Sequence, residues 1–149
     1  MTDSTTERLG TARKRILDFL GRVDRLAEPC AILGGDDLPE TTVFECAAET
    51  WAGREVVHVD SSFPLDADGI RTSIQRSFLP GRILLVTLTR RAGKELFRFL
   101  EQLLVDGYVE IHDGENWRQA RPPEAWRMII HSRPGRFPMD DCVDSKLAL

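Results

Sequence analysis

The chain has 149 residues, of which 42% are hydrophobic and 30% charged, and this length and apolar content suit one folded domain. Its net charge of −4 argues against broad nonspecific binding of nucleic acid, which needs a surplus of Lys and Arg. The polar beginning MTDSTTERLG, apolar runs shorter than the roughly 20 residues of a membrane span, and three scattered cysteines predict a cytoplasmic protein that does not enter a membrane.

The first half of the chain predicts helix, strand, helix and strand. Residues 1–6 form a polar start that predicts a flexible N-terminus, and helical spacing of apolar residues then runs from Thr6 towards Pro29. The stretch CAILGG at Cys30–Gly35 predicts a short strand that ends in glycines. A helix at Thr41–Trp51 and a strand at Arg54–Asp60 follow.

The second half continues the alternation. It predicts helices at Asp68–Leu79 and Gly93–Val105, and core strands at Arg82–Thr89 and Trp126–Ser132. Two alternating stretches within Tyr108–Ala120 flank Asp113-Gly114, a preferred pair for a tight turn, and predict a β-hairpin. Strands that alternate with helices indicate an α/β fold with a mostly parallel sheet, in which the hairpin is an insertion.

The segment GGDDLPETT partly matches the phosphate-binding pattern G-x-x-x-x-G-K-[ST]. Gly34 and Thr41 occupy their places, but Pro39 stands at the second glycine and Glu40 at the lysine. A purely local interpretation is also open. Asp36 or Asp37 would cap the following helix, Pro39 would suit its first turn, and Glu40 would favour the helix dipole.

The order of elements resembles the MoxR and dynein-related group of AAA+ ATPases. The stretch ILLVTLTRRAGKELFRFLEQLLVDGYVEI is similar to their Walker B strand, helix and first hairpin strand, and DGENWRQARPPEAWRMIIHSRP to the rest of the hairpin and the sensor strand. The resemblance implies a three-layer α/β/α core like that of P-loop NTPases, with strand order 1-4-3-2. It implies a domain at residues 7–136 and a tail at 137–149, which are too few residues for the helical lid of the family.

The same resemblance places the catalytic positions of the family on unsuitable residues. The Walker B acidic pair falls on Thr87 and Leu88, and the sensor Asn falls on Arg133. The degenerate nucleotide site would therefore comprise Gly34, Gly35, Pro39, Glu40, Thr41, Thr87, Leu88 and Arg133.

The chemistry of these residues opposes nucleotide binding. Pro39 lacks an N–H group for a phosphate, and Glu40 puts negative charge where a triphosphate is negative. Two like charges about 4 Å apart repel by about 4 kcal/mol at an effective dielectric constant near 20. Thr87 and Leu88 offer no charge for Mg²⁺, so we expect no catalytic residue, no bound ATP or ADP, and no metal.

Other candidate groups point to interaction surfaces. Tyr108 and Trp117 lie on the hairpin, an insert that related ATPases use for contacts, and form either an exposed anchor or a cross-strand aromatic pair. Arg90, Arg91 and Arg136, with Arg133, follow strand ends where α/β sheets bind ligands, and otherwise are solvated charges.

Histidines and cysteines give a weaker signal. His58, His112 and His131 lack the spacing of metal ligands and are expected to be surface or hydrogen-bonded core residues. Cys30, Cys46 and Cys142 are expected to be small core hydrophobes, and nothing in the sequence orients one of them as a nucleophile.

These observations predict a catalytically inactive AAA+-like domain that binds proteins or regulates a larger ATPase system. The expected partner is an active AAA+ ATPase, another component of its system, or a second copy of the chain, and nucleic acid is not expected. The alternatives are a nucleotide sensor without hydrolysis and an unrelated small α/β enzyme. The strand at Cys30–Leu33 would lie at a sheet edge, so we expect the tail CVDSKLAL or another chain to cover it.

Overall fold

The computed structural model describes residues 2–35, 38–61, 66–133 and 140–149. The helices are α1 (Thr2–Arg25), α2 (Glu40–Thr50), α3 (Ala67–Ser77) and α4 (Lys94–Glu101), with a π-helical turn at Gln102–Asp106 and a 3-10 turn at Asp140–Cys142. The strands are β1 (Cys30–Gly34), β2 (Glu55–Asp60), β3 (Arg82–Leu88), β4 (Val109–Asp113), β5 (Asn116–Ala120), β6 (Met128–Ser132) and β7 (Ser145–Ala148). No helix in the described ranges has the length and apolar content to cross a membrane.

A five-stranded parallel sheet forms the centre of the domain. Its order is β2-β3-β6-β1-β7, so the four core strands lie in the predicted order 1-4-3-2 when counted from β1. The fifth strand is β7, which pairs with β1 from Ala31↔Ser145 to Gly34↔Ala148. The prediction that the tail covers this edge is confirmed. The expectation of a missing fifth strand is wrong, because four residues of the predicted tail complete the sheet.

Helices cover both faces of the sheet, as the three-layer prediction requires. One face packs against α1 and α2 through a buried cluster that includes Leu20, Leu33 and Val43. The other face packs against α3, α4 and the hairpin through a second cluster that includes Ile74 and Ile130. Because both faces are buried, β6 and nearly all of β3 are continuously buried, as their apolar runs predicted.

Several helix bounds differ from the predicted ones for local reasons. The helix α1 begins at Thr2, within the predicted loose start, because apolar spacing marks only the part of a helix that packs on a core. The predicted helix to Val105 changes into the π-helical turn after Glu101 and ends at Gly107, whose φ is +77°. The left-handed conformation of this glycine lets its N–H donate to the carbonyl of Gln102 at 2.9 Å.

The hairpin turn is centred on Gly114 and Glu115, one residue later than the predicted Asp113-Gly114 pair. Asp113 pairs with Asn116 across the turn, and Gly114 has a φ of +66°. A glycine at the first central position is the pattern of a type II′ turn, which suits the twist of a hairpin.

The last core strand begins at Met128, two residues after the predicted start at Trp126. The Trp126 indole N–H donates to the Ser77 hydroxyl at 3.0 Å, and its ring lies edge-on to Phe78 at 5.4 Å between centroids. These contacts fix the connector from the hairpin against α3.

Candidate functional site

The loop that resembles a phosphate-binding loop lies at the carboxyl edge of the sheet, between β1 and α2. Gly34 ends β1, and the Gly35 N–H donates to the Ser132 carbonyl on β6 at 3.2 Å. The Leu149 N–H donates to the Gly34 carbonyl at 2.9 Å. A Cβ added to Gly35 would meet the Leu149 carbonyl oxygen at 3.3 Å, so the missing side chain permits this close approach. The Gly35 N–H and the Gly34 carbonyl are therefore both hydrogen-bonded within the chain.

The start of α2 follows the local interpretation of the sequence. Pro39 is the N-cap residue, one position before the predicted first turn, and has no side-chain capping hydrogen bond. Glu40 is the first helical residue, where its charge favours the helix dipole, and Thr41 is exposed. The predicted caps Asp36 and Asp37 lie outside the described residues.

Two residues of the predicted degenerate nucleotide site contact each other directly. The Arg133 guanidinium lies 3.3 Å from the Glu40 carboxylate, with 40% of the Arg133 side chain and 28% of the Glu40 side chain exposed. By resemblance, Glu40 stands at the phosphate-binding lysine and Arg133 at the sensor asparagine. The position where the resemblance expects a cationic lysine thus carries the anionic Glu40. The cation beside it is Arg133, which follows β6. The two charges neutralise each other within the chain.

The two residues at the Walker B positions are buried and uncharged. The Thr87 hydroxyl lies 2.8 Å from Nε2 of His58 on β2, and Leu88 packs in the core on the other face of the sheet. The Leu88 carbonyl accepts the Arg133 N–H at 3.0 Å. The strand end therefore uses its polar groups to bind its neighbours, and neither side chain supplies a carboxylate for a metal.

His131 is the feature of this edge that the sequence interpretation missed. It is fully buried, pairs with Thr87 and Leu33 on the adjacent strands, and neither ring nitrogen has a hydrogen-bond partner within the described chain. Burial lowers its pKa to about 4, and the cation of Arg133 adds to this effect. His131 is therefore a core histidine and not a surface one, and the buried run around it was a signal of its burial.

The remaining histidines and cysteines show no common site. His58 bonds to Thr87 as a partly buried residue, and the His112 side chain lies outside the described ones. Cys30 and Cys46 are buried as predicted, and burial raises the pKa of both thiols, whereas Cys142 is exposed. Across the described ranges, three or more His, Cys, Asp or Glu side chains come together nowhere in a way that suits a metal ion.

The structure describes three of the four arginines that were predicted to follow strand ends. Arg90 and Arg91 are exposed just after β3, whereas Arg133 turns to Glu40. Arg136 lies outside the described residues. A common anion site of all four arginines therefore stays a prediction.

The hairpin places its two aromatic residues apart. Tyr108 precedes β4, and the Arg121 guanidinium lies 5.6 Å from the centre of its ring. Trp117 stands opposite His112 on β4 and is 61% exposed. The alternative in which Tyr108 and Trp117 form a cross-strand pair is wrong, because their positions are not opposite. Trp117 therefore has the exposure that an interface anchor needs.

Comparisons with known proteins identify the fold. No protein-family model and no curated protein matches the sequence. Among solved structures, the Thermotoga maritima RuvB Holliday junction branch migration motor matches 96% of this chain with 44% of its own, at 13% identity and a TM-score of 0.58. Its P216G mutant covers 96% and 45% at 17% identity, with a TM-score of 0.62.

A second protein with a similar structure is Brucella abortus NtrX, whose structure is a complex with ATP. It matches 91% of this chain with 36% of its own, at 12% identity and a TM-score of 0.63. The chain spans less than half the length of these proteins, and identities this low show the fold alone. The likeness to the MoxR and dynein-related group stays a prediction. The chain therefore has a P-loop NTPase-like α/β fold, which it shares with these RuvB and NtrX structures.

Proposed function

We propose that this domain does not hydrolyse ATP and acts as a protein-binding or regulatory component of a larger AAA+ ATPase system. The observation that carries the proposal is the ion pair between Glu40 and Arg133, 3.3 Å apart. It joins two positions at which the family resemblance expects a lysine and an asparagine. Both changes together convert a surface for polyphosphate into a pair of charges that satisfy each other.

The interaction energies at the loop between β1 and α2 oppose nucleotide binding. Separating a half-exposed ion pair costs only about 1 kcal/mol or less, so the pair alone is a weak barrier. The carboxylate that remains would repel a phosphate about 4 Å away by about 4 kcal/mol at a dielectric constant near 20. Micromolar affinity corresponds to about 8 kcal/mol, and neither Lys nor acidic metal ligand is present at the expected positions to supply it.

The direct test is thermal unfolding of the purified chain with ATP or ADP, with and without Mg²⁺, together with an assay for released phosphate. We expect an unchanged Tm and no hydrolysis. The variant Glu40→Lys serves as the matched comparison, because it places two cations at the start of α2, and we expect tripolyphosphate to raise its Tm. A rise of several degrees in the unchanged chain would instead support the nucleotide-sensor alternative, and ATP turnover would overturn the proposal.

The binding role needs a separate test. The tagged chain is cross-linked in its native host, purified, and its partners are identified by mass spectrometry, with Trp117→Ala as the comparison variant. We expect an AAA+ ATPase or a component of its system, at reduced yield for Trp117→Ala. Recovery of the chain as a monomer without any cross-linked protein would contradict the role, and recovery of self-adducts only would replace the partner with a second copy.

A further inference from the structure

A hollow of about 620 Å³ lies between the end of α3 and the face of the hairpin that packs on the domain. One side of it is lined by the last residues of α3 and the segment after them, and the other by Ile111 of β4 and residues 118–121. We call this region the α3–hairpin hollow. Ile111 belongs to the core cluster on the face of the sheet opposite α2, so the hollow is separate from the loop of Glu40 and Arg133.

The register of the hairpin shows which side chains of β5 face the hollow. Residues directly opposite each other in an antiparallel pair carry their side chains on the same face. Ile111 pairs with Arg118, and Val109 pairs with Ala120. Because Ile111 and Val109 are buried in the core, Arg118 and Ala120 lie on this same face of the hairpin. The Arg118 side chain therefore stands beside the apolar lining of the hollow, although it is exposed.

The hollow offers apolar surface that solvent can reach. Leu79 is 51% exposed, and Phe78 and Ala120 are partly buried. The Phe78 ring lies edge-on to Trp126 at 5.4 Å, and the Trp126 indole N–H bonds to the Ser77 hydroxyl. These contacts hold one wall of the hollow within the domain, so a ligand would not have to order that wall before it binds.

The charge of the hollow is opposite to that of the whole chain. Arg76, Arg118 and Arg121 line it, and its described lining contains no Asp or Glu, although the chain has a net charge of −4. Arg76 lies 4.0 Å from Glu55, but the same carboxylate lies closer to Arg82, at 2.9 Å. Arg118 and Arg121 form no ion pair in the part of the chain that the structure describes. The hollow therefore carries positive charge that these residues leave without a matching anion.

The end of α3 does not cancel this charge. The last carbonyls of a helix carry partial negative charge and would repel an anion if they were free. Here the Phe78 N–H donates to the Gln75 carbonyl at 3.0 Å, and the Leu79 N–H donates to the Arg76 carbonyl at 3.3 Å. Because these carbonyls are already hydrogen-bonded, the arginines determine the sign of the charge that a ligand meets.

We propose that the α3–hairpin hollow binds an acidic segment of a partner protein that carries an apolar side chain between carboxylates. The apolar side chain would lie against Phe78 and Leu79, and carboxylates on either side would meet Arg76, Arg118 or Arg121. A purely apolar ligand would bury arginines without counter-charges, and a purely acidic one would leave the apolar surface in water. The inference rests on the proposed protein-binding role and names the chemistry of the partner.

The first test measures fluorescence anisotropy of the fluorescein-labelled peptide Glu-Glu-Leu-Phe-Glu-Glu-amide with the full chain. We expect saturable binding that weakens with salt. Replacement of Leu-Phe by Ser-Ser, or of every Glu by Lys, should each weaken binding by at least about tenfold, because both parts of the peptide have a counterpart in the hollow. A loss of binding from only one of the two replacements would overturn the proposal.

The second test changes the hollow itself. Arg118→Glu should weaken binding of the acidic peptide by at least about tenfold, and Arg118→Lys by far less, because charge is the main requirement. Leu79→Ser should also weaken it, since it removes exposed apolar surface. Arg8→Glu is the matched control. It makes the same change of charge at an exposed residue of α1, which packs on the opposite face of the sheet, and it should leave binding unchanged. All four residue changes are at exposed positions, so we expect them to leave the Tm nearly unchanged.

The outcomes separate this inference from the proposed function. Equal weakening by Arg8→Glu and Arg118→Glu, or no effect of Arg118→Glu, would overturn the proposal. Displacement of the peptide by oligo(dT) at lower concentration than by unlabelled peptide would also overturn it, and would assign the hollow to single-stranded nucleic acid. Absence of peptide binding alongside recovery of a cross-linked AAA+ partner would remove this inference and leave the proposed function. ATP turnover with peptide binding intact would remove the proposed function and leave the hollow as a binding site.

Discussion

Two ends of the domain differ in how their polar groups are bonded. We call the region of Gly34–Thr41 and the neighbouring strand ends the loop end, and the region of β4 and β5 the hairpin end. At the loop end, Glu40 bonds to Arg133, and the Ser61 hydroxyl bonds to Thr89 at 3.0 Å. At the hairpin end, the side chains of Arg118 and Gln119 are exposed on β5. Groups that already have partners must lose them before they bind a ligand. The comparison therefore directs the search for binding to the hairpin, away from the place that the fold would favour.

The largest expected effect comes from opening the loop end by deleting residues 145–149. This removes β7 and exposes the edge of β1, whose four register pairs with β7 are lost. At about 1 kcal/mol for each net hydrogen bond, we expect destabilisation by about 3 kcal/mol or more. Urea unfolding measures it, and Asp144→Ala, an exposed change just before the same strand, should have little effect. An unchanged urea midpoint for the deletion would show that the loop end does not depend on β7.

The second effect concerns pH at the loop end. The pKa of His131 is lowered to about 4, so the folded state favours the neutral ring, which the unfolded chain protonates near pH 6.5. Its contribution is fully present above pH 6.5 and is lost as the pH falls towards 4. The lowering of the His131 pKa from 6.5 to about 4 corresponds to about 3 kcal/mol of unfolding free energy.

The variant His131→Leu isolates this contribution. Because leucine does not titrate, the difference in unfolding free energy between the two proteins should change between pH 6.5 and pH 4 and be constant above pH 7. Parallel curves throughout that interval would show that the buried ring is not the titrating group.

The third prediction compares two tryptophans at the hairpin end. Trp126→Phe removes the indole hydrogen bond to the buried Ser77 hydroxyl, and we expect it to cost about 1–2 kcal/mol. Trp117→Phe changes an exposed residue and should stay within about 0.5 kcal/mol. Chemical unfolding of both variants makes the measurement. Equal losses would mean that Trp117 packs on the domain and is not available to a partner.

The smallest effect is expected from the ion pair itself. The coupling energy between Glu40→Gln and Arg133→Gln, measured by a double-mutant cycle of unfolding free energies, should be about 1 kcal/mol or less, because both side chains are partly exposed. It should decrease at high salt. A coupling energy of several kcal/mol would show that the ion pair contributes substantially to the stability of the domain.

The core of the fold was predictable because its signals are local. The buried runs of β3 and β6 reflect a sheet covered on both faces, and the glycine in the hairpin turn fixes a tight connection. By contrast, β7 alternates between half-buried and exposed residues and is a strand only because β1 offers an edge. Its sequence alone carries a weak signal, so the prediction rested on the need to cover that edge.

The candidate site was predictable as a set of positions and less so as a set of contacts. Glu40 and Arg133 were each singled out, but they lie 93 residues apart, and no local pattern indicates that they touch. The isolation of the His131 ring depends on which side chains surround it in three dimensions. The hollow between the end of α3 and residues 118–121 depends on the distance between a helix and the hairpin, which spacing along the chain does not define.

The position of β1 between β6 and β7 has a consequence for biosynthesis. Ile32 pairs with Ile130 on one side and Lys146 on the other, so both neighbours of this early strand are made roughly 100 residues later. The segments of β2 and β3, which pair with each other, leave the ribosome before β6 and β7 are made. They can therefore pair before β1 can join the sheet. Until β6 and β7 are synthesised, the apolar segment Cys30–Gly34 has neither of its neighbouring strands. During this interval we expect the nascent chain to be most prone to aggregation and to chaperone binding.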